Sequence, residues 1–260
     1  MTIGFAIISI FVLPDFPATT KWLTPEEREY AIRRLEDDGN SSGARDVSHW
    51  QSFVSAIRDW RTWLFLLAQT FCTCAGTITY FVPTLMAALN YTGQHVQYMT
   101  IPIYMVALII VLICGFSSDY FNDRPKHIMA MAVMSTISLI IVATVDNPKA
   151  RYTFLAFGAA GIWCCSPLTL SYLSNTISRP AEKRAVAIAF VNAFANLSSV
   201  YGSYIWPSST APQYVPGFTV TIVLMFGCIV TALLLKYFTD KYPYENTEDR
   251  VSEADRESTN

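Results

Sequence analysis

Thr62-Trp63-Leu64-Phe65-Leu66-Leu67-Ala68-Gln69-Thr70-Phe71-Cys72-Thr73-Cys74-Ala75-Gly76-Thr77-Ile78-Thr79-Tyr80-Phe81-Val82-Pro83-Thr84-Leu85-Met86 is an apolar stretch without a single charge. It begins a longer silence: no Asp, Glu, Lys or Arg occurs between Arg61 and Asp119, and none between Arg184 and Lys236. A helix needs roughly 20 apolar residues to cross a bilayer core of about 30 Å, so each silent interval holds two crossings and a turn. The 260-residue chain is 52% hydrophobic and only 15% charged, against about 25% charged in ordinary soluble domains. A soluble fold this apolar would have too little polar surface to show to water. Transmembrane strands are excluded by the same stretch, because they alternate over about ten residues and do not run unbroken.

Working outward, the pattern predicts an all-α membrane protein whose bundle of six transmembrane helices fills 62–238. The crossings are expected near Thr62–Met86, Val96–Phe116, His127–Val145, Tyr152–Ser171, Ala185–Trp206 and Phe218–Phe238. Residues 14–61 form the one long polar segment before the tail, and 239–260 are expected to be a disordered polar tail. Of the 18 Lys and Arg residues, only Lys149 and Arg151 fall on one side of this topology. The positive-inside rule therefore puts 14–61, the turns around Arg124 and Arg184, and the tail in the cytosol.

The polar segment has local structure. Thr24-Pro25-Glu26-Glu27 reads as a helix start, with a capping box between Thr24 and Glu27 and Pro25 in the first turn. Gly39-Asn40 is expected to end that helix, and Ser41 to Asp46 to be a polar loop. Trp50, Phe53, Val54 and Ile57 fall at helical spacing and predict a short helix lying at the membrane interface. Residues 1–13 are apolar but too short to cross alone. They lack the basic start and the cleavage site of a signal peptide, and are expected to be the tail of a longer helix.

Chemistry at membrane depth is confined to uncharged groups. Gln69, Thr73, Thr77, Tyr80 and Thr84 share one helical face. So do Asn192, Asn196, Ser199 and Ser203, and a shorter stripe joins Ser171, Asn175 and Ser178. Two readings stand for these stripes: the lining of a cavity for a hydrogen-bonding solute, or bonds between helices and back to their own backbone. Pro83, Pro102 and Pro167 interrupt helical bonding and mark either packing kinks or hinges. Asp119 and Arg124 flank a short turn and can latch neighbouring helix ends. The six cysteines sit in apolar runs without the spacing of a zinc site and read as small buried hydrophobes. Asn90-Tyr91-Thr92 is a glycosylation sequon in a turn too short to favour its use. No metal, cofactor or enzymatic centre is expected, and no basic aromatic groove suggests nucleic acid.

Leu13-Pro14-Asp15-Phe16-Pro17, followed by Thr20-Lys21-Trp22-Leu23-Thr24-Pro25-Glu26-Glu27-Arg28, resembles the central loop of the fungal allantoate permease-like transporters. These are the anion:cation symporters of the major facilitator superfamily. The resemblance continues through Tyr80-Phe81-Val82-Pro83-Thr84, Pro102-Ile103-Tyr104, Arg184-Ala185-Val186-Ala187 and Ala211-Pro212-Gln213-Tyr214. It also covers the turn from Gly115 to Lys126, where Gly115, Asp119 and Arg124 stand in a weakened form of the superfamily's cytosolic gating motif. The chain departs from the resemblance at Tyr172, often Trp, and Ala195, often Gly.

The resemblance implies the carboxy-terminal half of a twelve-span carrier. Residues 1–13 would be the tail of the sixth span and 14–61 the cytosolic central loop, with the amino-terminal six-helix half as missing partner. It implies proton-coupled transport of a small organic anion, such as allantoate, another ureide, nicotinate or pantothenate, by alternating access, in membrane lipid and at the plasma membrane. Gln69, Thr73, Tyr80, Asn175, Asn192 and Asn196 are the expected solute-binding residues. The rival expectation is a truncated half-transporter with no activity of its own.

Overall fold

The architecture comes from a computed structural model, which describes residues 4, 9, 20, 22–37, 49–89, 91–178 and 180–242. Of the expected helix tail at 1–13 only Gly4 and Ser9 are described, both helical; the Leu13–Pro17 motif, the stop at Gly39-Asn40, the loop from Ser41 to Asp46, Asn90 of the sequon and all but the first residues of the tail lie outside the described residues.

Helix α1 (Pro25–Asp37) opens as the sequence predicts. The Thr24 amide and hydroxyl both donate to Glu27 Oε2, at 3.0 and 2.8 Å, and the Glu27 amide donates back to Thr24 Oγ1. Helix α2 (His49–Arg58) follows. It buries Ser52 and Ala56 and leaves Trp50 and Phe53, stacked at 5.6 Å, turned outward.

Six helical spans follow, each long and apolar enough to cross a membrane. The first is broken into α3 (Trp60–Gly76) and α4 (Ile78–Ala88). The second is α5 (Gln94–Phe121), the third α6 (Arg124–Thr144) and the fourth α7 (Pro148–Thr176). The fifth comprises α8 (Ala181–Asn196), α9 (Ser198–Gly202) and a 3-10 turn at Ser203–Ile205. The sixth is α10 (Val215–Lys241). There is no strand among the described residues. All six run past the ends expected from hydropathy in at least one direction, and at the first, third and fourth a polar cap outside the apolar core carries the helix onward. Asp59 accepts from the Arg61 amide, Asp123 from the Lys126 amide, and Asn147 from the amides of Lys149 and Ala150.

The fourth span is the most enclosed and the second the least. Small residues make that centre possible. Ser135 Oγ on α6 donates to the Gly158 carbonyl on α7 at 2.9 Å. A Cβ on Gly161 would lie 2.6 Å from the Met131 carbonyl. The main core runs from Cys72, Ile78 and Val82 through Leu139, Leu155 and Ile162 to Met225 and Cys228.

The two ends of the bundle are tied differently. At the end where α3 and α8 begin, Lys183 Nζ meets Asp59 Oδ2 at 2.7 Å, Arg124 meets Asp119 at 2.8 Å, and Asp123 draws in Lys126 and Lys236. At the other end the ties are aromatic. Trp206 packs edge-on to Phe218 at 5.2 Å and stacks on Phe81 at 5.7 Å, and Tyr91 meets Tyr152. No salt bridge is found at that end among the described residues.

Candidate functional site

Both broken spans break beside each other. In the first, Gly76-Thr77 replaces the regular ladder with a tight turn: the Thr77 amide and hydroxyl both bond the Cys74 carbonyl, at 3.2 and 2.7 Å. Pro83, lacking an N–H, relaxes the next turn. In the fifth, Leu197 N bonds the Phe194 carbonyl three residues back. The two interruptions touch at Gly202, whose missing side chain makes room for Thr77; a Cβ there would strike Thr77 Cγ2.

A cavity of about 270 Å³ opens at this junction, walled by the first, fourth and fifth spans. Thr73 and Tyr80 of the first span, and Asn196 of the fifth, line it as three of the expected binding residues. Tyr80 stands at its open side, 69% exposed. Gln69 is buried one turn behind Thr73 and reaches the wall through Ser166, its Nε2 donating to Ser166 Oγ at 2.7 Å. Asn192 does not line the cavity; it orients Asn196, whose Nδ2 donates to the Asn192 carbonyl at 2.7 Å and to its Oδ1 at 3.2 Å. Asn175 lies nine positions beyond Ser166 on α7, exposed and away from the lining.

Many hydroxyls of the stripes bond their own backbone, as the plainer of the two readings expects. Thr73 donates to the Gln69 carbonyl at 2.8 Å, Thr77 to the Cys74 carbonyl at 2.7 Å and Ser203 to the Val200 carbonyl at 3.4 Å; Thr70 and Thr169, off the stripes, bond carbonyls four residues back in the same way. Such bonds spend the hydrogen but leave oxygen lone pairs facing outward.

The sequence reading missed two hydrogen-bonding residues of the wall, Ser166 and Trp163. Ser166 falls off the spacing of the Ser171 stripe; its one signal is its place beside Pro167, three residues after Trp163. Trp163 donates its Nε1 hydrogen to Thr79 Oγ1 at 2.7 Å and stacks against Tyr104 of α5 at 4.9 Å with an interplanar angle of 6°. Aromatic residues in apolar spans read as packing until a cavity is seen beside them.

At the charged end, Arg124 works as a fork. One terminal nitrogen meets Asp119 Oδ1 at 2.8 Å, and the other donates to the Ser171 carbonyl on α7 at 2.8 Å. Asp119, Arg124 and the fourth span are thereby one unit. Gly115 sits one turn before Asp119 on α5, with open space where a Cβ would stand. His127 Nδ1 donates to the Asp123 carbonyl, 2.7 Å away, and Nε2 pairs with Ser117 Oγ, 3.0 Å away. All six cysteines are buried, with Cys72 and Cys228 sulfurs 3.3 Å apart. No cluster fit to hold a metal ion occurs among the described residues.

Six apolar helices, three of them walling an uncharged, hydrogen-bonding cavity, define an integral, multi-pass membrane protein. Comparison with protein families is direct on this point: residues 1–203 match the Major Facilitator Superfamily, and the chain belongs to that family, whose members generally move small solutes across membranes. It is 30% identical over 235 residues to the MFS transporter prlL of a fungal species (strain NRRL 50135), covering 89% of this chain and 47% of the relative. It is 29% identical to the MFS-type transporter cnsO of Penicillium expansum, over 100% of this chain and 52% of that protein. It is 24% identical to the high-affinity nicotinic acid transporter of Saccharomyces cerevisiae, over 93% and 46%. These relatives are named as transporters, and the chain spans about half the length of each.

Proposed function

We propose that this chain forms the carboxy-terminal six-span half of a secondary transporter for a small organic anion. The anion is a ureide such as allantoate or a carboxylate vitamin such as nicotinate or pantothenate, and proton coupling drives its uptake. The observation that carries this reading is the cavity at the paired breaks, where Thr73, Tyr80, Ser166 and Asn196 offer hydrogen bonds without any charge. An anion bound there finds a hydroxyl donor on this half, and its counter-charge and the proton-carrying carboxylate belong to a preceding six-helix half. Gln69 and Asn192 hold the lining residues in place. Asn175, exposed near the charged end of α7, contacts solute only on its way to or from the cavity. The Asp119–Arg124 pair, with Gly115 behind it, latches the cytosolic end while the two halves rock around the central site. The fungal relatives, one of them named for nicotinic acid, favour the organic-anion class. The protein lies in the plasma membrane, with 14–61 and the tail in the cytosol.

The test is uptake of labelled allantoate, nicotinate and pantothenate by a transport-deficient yeast expressing the protein at its full native length. Uptake of one of them that collapses when the proton gradient is dissipated is the expected result. Absence of uptake for every organic anion removes the substrate class.

A further inference from the structure

The hydrogens around the cavity can be assigned one by one, and most of them are already spent. Thr73 and Thr77 donate to carbonyls of their own helix. Trp163 gives its indole hydrogen to Thr79. Asn196 directs its amide nitrogen at Asn192. These groups therefore face the cavity as acceptors or as apolar surface.

Ser166 is wired the opposite way. Its oxygen already accepts from Gln69 Nε2 at 2.7 Å, and no acceptor takes its own hydrogen among the described residues. Gln69 is itself 1% exposed, so the bond that fixes this direction is enclosed, and a hydroxyl that accepts one bond becomes a stronger donor in the next. Gln69 Oε1 lies behind it, buried and without a hydrogen-bond partner among the described residues. Tyr80 and Ser199 also line the wall, but nothing fixes which way their hydroxyls point. Asn196, with its nitrogen engaged, presents Oδ1.

We infer that Ser166 is the donor that holds the solute's carboxylate and that Asn196 Oδ1 accepts an N–H from the same solute. The solute class is then a carboxylate that also carries an amide-type N–H. This rests on the organic-anion reading above and narrows it: a plain aliphatic or aromatic acid fills only half of the wall's bonding pattern. Gln69 is a positioning residue that acts through Ser166.

The experiment is a crosswise binding measurement in membranes holding the protein at its full native length. Three probes are used: N-carbamoylglycine, which has both groups; pentanoate, an apolar acid of the same backbone length; and the neutral carboxamide of N-carbamoylglycine. Ser166→Ala is expected to weaken both acids about tenfold, as loss of a bond to a charged group does, and to leave the carboxamide nearly unchanged. Asn196→Leu is expected to weaken N-carbamoylglycine and its carboxamide and to spare pentanoate. Gln69→Met reproduces part of the Ser166→Ala loss and adds nothing to it in the double variant, whereas Ser166→Thr, which keeps a hydroxyl, retains the preference for acids. A variant that weakens all three probes alike is damaged in structure, and that pattern in both Ser166→Ala and Asn196→Leu overturns the inference, as does unchanged binding. A wild-type protein that binds no acid overturns the organic-anion reading itself, and the inference falls with it.

Discussion

Lys183 and Asp59 stand 124 positions apart in the chain and 2.7 Å apart in space. Their side chains are only 10% and 7% exposed, and Asp59 also faces Arg61 at 3.7 Å. One carboxylate thus starts the first span, through its bond to the Arg61 amide, and moors the first turn of the fifth.

Breaking this pair from one side strands a buried charge. Lys183→Met is expected to destabilise the bundle by about 3 kcal/mol, the low end for such a loss, because Arg61 remains beside Asp59. Adding Asp59→Asn, which keeps a capping oxygen, is expected to restore part of the stability. Thermal unfolding in detergent of the wild type and the two variants measures both steps; a double variant less stable than the single one contradicts the account.

The Arg124 fork predicts an asymmetry between its two sides. Asp119 is 68% exposed and the Arg124 side chain 16%. Asp119→Asn is expected to cost under about 1 kcal/mol, as exposed ion pairs do. Arg124→Gln, which also deprives the Ser171 carbonyl of its donor, is expected to cost more, with Arg124→Lys between them because an ammonium cannot reproduce the fork. The order of the three melting temperatures is the measurement.

The contact of Gly202 with Thr77 predicts a rescue. Gly202→Ala forces a methyl into Thr77 Cγ2 and is expected to cost about 1–3 kcal/mol by overpacking. Thr77→Ser removes that methyl and keeps the hydroxyl bonded to Cys74, so the double variant is expected to recover most of the loss. If the two substitutions simply add, the breaks are not held together at this point.

Acid acts on the Glu27 cap. Hydrogen bonds from the Thr24 amide and then from its hydroxyl hold the Glu27 carboxyl below its ordinary value of 4.5. A depressed carboxylate stabilises the fold above its unfolded pKa and loses that contribution as pH falls through its folded one. The start of α1 is therefore expected to be intact at neutral pH and to loosen below about 4.5. A carbon-13 titration of Glu27 with a midpoint at or above the ordinary value would refute this.

The proposed orientation is checked with tags. A glycosylation acceptor carried on a long loop inserted between Ala88 and Gln94, together with Asn90→Gln, is expected to be modified, and one on the same loop placed after Tyr242 is not. Modification of both, or of the second only, reverses or breaks the topology.

Much of the architecture was legible because charge and burial in lipid follow simple rules. The silence from Arg61 to Asp119 set two crossings, and Thr24 and Glu27 announced their own cap. The cavity was legible only in part. Thr73, Tyr80 and Asn196 could be found by spacing, since each repeats along one helix face. Ser166 could not, because what makes it a wall residue is Gln69, 97 positions away. Nor could the spacing of Trp50 and Phe53 tell that the neighbouring Ser52 and Ala56 would take the buried side of α2. Fifth-span residues raised the same difficulty: nothing between Asn196 and Ser199 signals that the ladder stops there, since no proline or glycine marks Leu197.

The unequal ties at the two ends give the bundle a built-in polarity of response. Added salt shortens the Debye length, about 8 Å in physiological salt, and screens exposed charges, and so reaches the Asp119–Arg124 and Asp123–Lys236 end first. The Trp206 cluster, with Phe81 and Phe218, is indifferent to salt and yields instead to whatever competes for aromatic surface. Salt and detergent thus act as separate handles on opposite poles of one molecule.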